Sequence, residues 1–84
     1  MPIAATRRQP DSNGHLWLAE GEYGQCGLGG IWYCRPHGHH TGSLEHHDVV
    51  EHADGTITVS PSILLTGPNG QWHGYLEHGQ WREV

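Results

Sequence analysis

Short apolar runs broken by glycine, proline and polar clusters set the pattern of this chain, and they predict strands rather than helices. Residues 1–13 are polar and lead into the turn formers Pro10-Asp11-Ser12-Asn13-Gly14, so a flexible N-terminal tail is expected ahead of one domain over 14–84. His15-Leu16-Trp17-Leu18-Ala19-Glu20 is short and apolar-rich and reads as a first strand. The glycines between 21 and 30 are too dense for regular structure. Ile31-Trp32-Tyr33-Cys34, β-branched and aromatic, reads as a second strand with Cys34 at its end. Pro36 then blocks a ladder and Gly38 permits a tight turn.

Two hairpins follow. Asp54-Gly55, taken as a two-residue type I′ turn, sets Ala53 opposite Thr56, His52 opposite Ile57 and Val50 opposite Val59. The two-residue side-chain period then gathers Val50, His52, Ile57 and Val59 on one buried face. Ser60-Pro61-Ser62 interrupts the sheet, and Ile63-Leu64-Leu65 is either a further strand or a helical turn capped by Ser60, with strand favoured by propensity. Thr66-Gly67-Pro68-Asn69-Gly70 reads as a loop. A turn at His78-Gly79 pairs Leu76 with Trp81, Tyr75 with Arg82 and His73 with Val84, which puts Trp72, Gly74, Leu76 and Trp81 on one apolar face and His73 on the other. The expected fold is all-β: a small antiparallel sheet of hairpins, a meander or small sandwich, with a knuckle-like loop and little or no helix.

Composition sharpens this. In 84 residues only 35% are hydrophobic and there is no Phe, so four Trp and three Tyr must supply much of the large buried surface. A chain this short is marginal on its core alone and is a candidate for a metal or disulfide staple. Net charge is −5, with four arginines and no lysine; only Arg7 and Arg8 are adjacent, so non-specific nucleic-acid binding is not expected. Protonating all nine histidines changes the formal charge from −5 to +4, so surface behaviour should follow pH. No apolar h-region or membrane-length run is present, and a cytoplasmic location with reduced cysteines is expected, against the alternative of a small Cys26–Cys34 disulfide loop.

Six of the nine histidines and one of the two cysteines fall between Cys34 and His52. Imidazole and thiolate are the ligands zinc prefers, and Cys34 and His37 have the short spacing of one side of a structural zinc site. The expected metal ligands are Cys34, His37 and His73, with Cys26 as the fourth and His39, His40 and His52 competing for that place. Such an ion would clamp the knuckle to the C-terminal hairpin and offset the thin core. His46 and His47 read as exposed loop residues, and His15 and His78 carry no assigned role. Two enzymatic alternatives exist: a Cys34–His nucleophile pair, and a ββα-metal nuclease using His39-His40 and Asp48. Neither is accompanied by an oxyanion-hole signature, a basic groove or a helix after the hairpin.

Trp32-Tyr33-Cys34-Arg35-Pro36-His37-Gly38, Asp54 to Ile63 with its Ser60-Pro61-Ser62-Ile63, and Trp72-His73-Gly74-Tyr75-Leu76 resemble a family of short uncharacterised proteins common in bacteriophage and prophage genomes, particularly actinobacterial ones. The likeness covers roughly residues 31–84. It implies a β-rich zinc-binding domain with Cys34 as the first knuckle cysteine and His73 as the late histidine. The second knuckle cysteine is missing, with His37 or His39 nearby, and Trp72 stands where members carry cysteine before that histidine. The resemblance supplies no activity. The expected function is a non-enzymatic zinc-binding β domain acting on a protein partner, a host factor among the candidates; the alternative is a small metal-dependent hydrolase or nuclease with an open zinc position.

Overall fold

The computed structural model describes residues 3–68 and 70–84; Met1 and Pro2 of the expected tail and Asn69 of the expected 66–70 loop lie outside them. Ten strands and no helix occur among the described residues: β1 (Ile3–Ala4), β2 (Thr6–Arg7), β3 (Glu22–Gln25), β4 (Trp32–Arg35), β5 (Gly42–Ser43), β6 (Asp48–Glu51), β7 (Ile57–Ser60), β8 (Ile63–Gly67), β9 (Gly70–Glu77) and β10 (Gln80–Glu83). They form one four-stranded sheet ordered β1-β10-β9-β8, a second ordered β2-β3-β4-β5, and the ribbon β6-β7. Every pairing is antiparallel except β2 with β3. The chain is an all-β domain of small sheets, as its pattern predicts.

The C-terminal hairpin has the register that the His78-Gly79 turn dictates, with Leu76 opposite Trp81 and Tyr75 opposite Arg82. His78 and Gly79 both take positive φ, 48° and 72°, which a type I′ turn requires. Ile63-Leu64-Leu65 is strand.

The other hairpin differs from expectation by one residue. Val49 lies opposite Val59 and Glu51 opposite Ile57, not Val50 opposite Val59. Asp54 Oδ1 accepts the Thr56 N–H at 3.0 Å and the Thr56 hydroxyl at 2.7 Å, while Gly55 N–H donates to His52 O and takes φ 87°. These bonds build a three-residue loop over 53–55 in place of the two-residue turn. A one-residue slip exchanges the faces of a strand. Ile57 and Val59 are still buried, but Val50 is exposed and His52 leaves their side.

Residues 15–20, expected as strand, form none. Side chains rather than a neighbouring strand engage that backbone: Asp11 Oδ1 accepts the His15 N–H, and Arg35 Nη1 donates to Leu18 O. The stretch read as a tail, by contrast, is paired. Ile3 lies opposite Trp81 in the first sheet, Ala5 N–H donates to Gly79 O, and Thr6 and Arg7 run beside Glu22 and Tyr23 in the second. One short strap thus stitches both sheets together.

The core lies between the sheets and the ribbon. Tyr23 and Cys34 come from β3 and β4, Leu44 from beyond β5, Ile57 and Val59 from β7, and Ile63, Leu65, Trp72, Leu76 and Trp81 from the sheet opposite. Trp72, Gly74, Leu76 and Trp81 share a buried face as the sequence indicates. The two indoles meet edge to face with centroids 5.6 Å apart, and Trp81 Nε1 donates to Gly21 O across the domain at 3.1 Å. Gly74 leaves room for this pair, because a Cβ there would lie 2.7 Å from the Trp72 ring. Each fully buried large apolar side chain contributes roughly 1.5–3 kcal/mol, against about 0–1 for a surface ion pair. Ile57, Ile63 and Leu76, all at or below 1% exposure, therefore outweigh the three surface pairs.

Candidate functional site

The residues expected to bind zinc sit in different surroundings. Cys34 is fully buried beside Tyr23, and burial pushes its thiol up to about 12. His37 lies on the exposed turn after β4 with its ring over Gly21, where an added Cβ would stand 2.5 Å from Nε2. His73 faces outward on β9, its Nε2 2.9 Å from Ser62 Oγ. Cys26 is a free, half-buried thiol that donates to Gly14 O and accepts the Leu28 N–H, both at 3.4 Å. It forms no disulfide with Cys34.

The competing ligands are no more convergent. His39 bonds through its backbone to Pro36 and Arg35, the His40 ring packs on Gly67, and His52 Nε2 lies 2.7 Å from Thr58 Oγ1. His47 Nε2 is 3.2 Å from Ser62 O, so Ser62 meets two histidines, His47 at its carbonyl and His73 at its hydroxyl. Among the described residues no group of three or more His, Cys, Asp and Glu side chains gathers as a metal site. The histidine run is dense along the chain, but its rings settle on separate partners: His37 over Gly21, His40 on Gly67 and His47 beside Ser62.

Two of the surface grooves lie beside residues singled out in the sequence. One, of about 360 Å³, lies between the knuckle and the C-terminal hairpin and includes Pro36, His37, His39, Trp72, Trp81 and Arg82. Its guanidinium is engaged with Glu77 at 3.2 Å and rests 4.3 Å over the Tyr75 ring. The other, of about 300 Å³, is lined by His15, Leu16, Trp17, Cys26, Tyr33 and Thr41.

This second groove is built by the loop that precedes β3. Asp11 Oδ1 accepts the N–H groups of Asn13 and His15 at 2.9 Å, folding residues 11–15 into a tight loop. That loop docks on the 26–28 turn through the Gly27 N–H bond to Gly14 O. Leu16 then lies against Gly24 on the outer face of the second sheet, where an added Cβ would come 2.9 Å from Leu16 Cδ1. Tyr33, opposite Gly24 on β4, shares that outer face and becomes the far wall.

Trp17 is the exposed wall. It keeps 69% of its surface open, yet it is fixed: Nε1 donates to Asp11 Oδ2 at 3.1 Å, and the His15 ring meets it edge-on at 6.1 Å. The same indole bond, followed by the His15 N–H, holds the Asp11 carboxyl below its usual range. Sequence reading assigned the tryptophans mainly to the core, and Trp72 and Trp81 do go there. The signal for Trp17 was the turn cluster Pro10–Gly14 just ahead of it, which supplies the carboxylate that orients it.

All four guanidiniums are engaged within the chain. Arg7 bonds Glu51 and Gly55 O and lies 5.0 Å from the Trp32 ring, Arg8 forks onto Glu22, Arg35 bonds His39 O and Leu18 O, and Arg82 bonds Glu77. No helix among the described residues is long and apolar enough to cross a membrane. Comparison with protein-family models, with curated proteins and with solved structures returns no match, which leaves the chemistry of the surface as the guide to function.

Proposed function

We propose that this chain is a small non-enzymatic module that binds another protein through the groove between Trp17 and Tyr33. The observation that carries the reading is an indole held open to solvent by a hydrogen bond, over a groove of apolar and aromatic walls. Large aromatic side chains fixed at a surface give contact area with little ordering left to do on binding, and they dominate the energetics of interfaces. About 300 Å³ is at the lower bound for small-molecule pockets, so the groove suits one or two side chains of a partner better than a cofactor.

Selection of a displayed peptide library on the folded chain tests it, followed by mapping of the enriched peptides on a two-dimensional 15N NMR spectrum. The Trp17 indole N–H and the Tyr33 amide should shift, and Trp17→Ala should weaken binding at least tenfold. Peptides that perturb only residues elsewhere would refute the assignment.

A further inference from the structure

We propose that the groove takes a cationic side chain of the partner, an arginine, whose guanidinium stacks on Trp17 with its methylenes along Leu16 and Cys26. This rests on the protein-binding reading above and names the chemistry of the occupant. Four observations support a cation over a purely apolar side chain.

First, the lining includes an indole and a phenol, rings whose faces attract cations. Second, a carboxylate is fixed at the indole edge. Asp11 accepts from the Asn13 and His15 N–H groups and from Trp17 Nε1. A carboxylate offers about four acceptor directions, so roughly one remains for an incoming N–H. Its hydrogen bonds favour the ionised form, so the charge is present at neutral pH. Third, the chain carries −5 with no lysine, and its four arginines are bonded to the chain's own carboxylates and carbonyls. The field at the surface therefore draws in a basic partner, and none of the four arginines lines the groove. Fourth, Leu16 and the Cys26 sulfur line the floor, which suits the apolar stem of a long basic side chain rather than its head. Arginine fits better than lysine because its planar head lies flat on an indole while one N–H reaches sideways to the carboxylate.

Three capped tripeptides serve as probes in the 15N NMR titration: glycyl-arginyl-glycine, its citrulline analogue, which has nearly the same shape and no charge, and its leucine analogue. The arginine peptide should shift the Trp17 indole N–H and bind about tenfold more tightly than the citrulline peptide. The difference should shrink as salt is raised from about 20 to 500 mM. Trp17→Ala should abolish the arginine-induced shift of the Tyr33 amide while leaving the amide spectrum of the core unchanged. Asp11→Asn should reduce the preference for arginine over citrulline.

If citrulline or leucine shifts the indole as strongly as arginine, the cationic occupant is wrong while the groove stands as a binding site. If none of the probes moves Trp17 and library peptides map elsewhere, both readings fall together.

Discussion

The imidazoles of His52 and His78 lie face to face, with centroids 4.1 Å apart and planes 13° from parallel. They join the tips of the two hairpins. Thr58 Oγ1 sits between them, 2.7 Å from His52 Nε2 and accepting the His78 N–H at 3.1 Å. Nearby, Gly79 N–H donates to Ile57 O.

Removing one ring should measure what this stack contributes. Asn tolerates the left-handed backbone that His78 adopts and keeps the N–H to Thr58, so His78→Asn deletes the ring alone. Stacked aromatic pairs contribute about 0.5–1.5 kcal/mol, which in a domain of this size lowers the melting midpoint by about 4–8 °C per kcal/mol. Thermal denaturation followed by circular dichroism checks it. An unchanged midpoint would mean that the rings are merely neighbours.

Gly74→Ala should be costly although it adds a single methyl group. The new Cβ would fall 2.6 Å from Arg82 O and 2.7 Å from the Trp72 ring. Overpacking of this kind costs about 1–3 kcal/mol, read as a lower urea midpoint and an altered near-ultraviolet tryptophan signal. Gly38→Ala is the contrast, since nothing lies within 4 Å of its added Cβ; its cost should come only from the φ of 79°.

Alkali should unfold the chain earlier than its surface charge suggests. Burial raises the Cys34 thiol from 9.0 to about 12, so the folded state binds that proton more tightly than the unfolded one. Its contribution is complete below about pH 9 and is lost as pH rises toward 12, at about 1.4 kcal/mol per unit. Desolvation raises Tyr23 as well, adding in the same direction above its ordinary value of 10.0. Urea midpoints at pH 8, 9 and 10 should fall, and Cys34→Ala should flatten the fall between 9 and 10. A flat profile for the native chain would show the thiol in contact with water.

Acid acts on the groove. The folded-state value of Asp11 is depressed, mainly by its bond from Trp17, so that contribution is intact above the unfolded value near 3.8 and disappears as pH drops through the folded one. The Trp17 indole N–H resonance should hold its position down to about pH 4 and move below it. Movement that begins well above pH 4 would mean that the Asp11 carboxylate does not hold the ring.

Zinc gives a direct test of how the fold is held. With Cys34 in the core and His73 turned toward Ser62, the untagged chain should melt at the same temperature with and without a chelator. A fall of many degrees on chelation would mean that an ion draws these residues together.

What the sequence discloses depends on how local the cause is. The register of β9 and β10 is readable because it is set by two adjacent residues that both take positive φ. The β6–β7 register is not, because Asp54-Gly55 suits loops of two or three residues. The choice is made by the Asp54 carboxylate reaching Thr56. His15–Glu20 imitates a strand in its apolar content, but Asp11 just ahead of it and Arg35 well beyond it take its backbone groups. The strap over residues 3–7 has no local signal at all, since its partners lie near residues 22 and 80. The density of histidines from Cys34 to His52 is plain in the sequence, but nearness along the chain does not set the direction of each ring, and no three His, Cys, Asp or Glu side chains gather among the described residues.

The pairing of Ile3 with Trp81 carries a consequence for biogenesis. Ile3 and Ala4 must wait, unpaired at that edge, until Gln80 and Trp81 have been synthesised. Closure of the domain is thus a late event, and contacts so far apart in sequence are slow to form. A nascent chain arrested before residue 80 should remain open to proteases at its beginning.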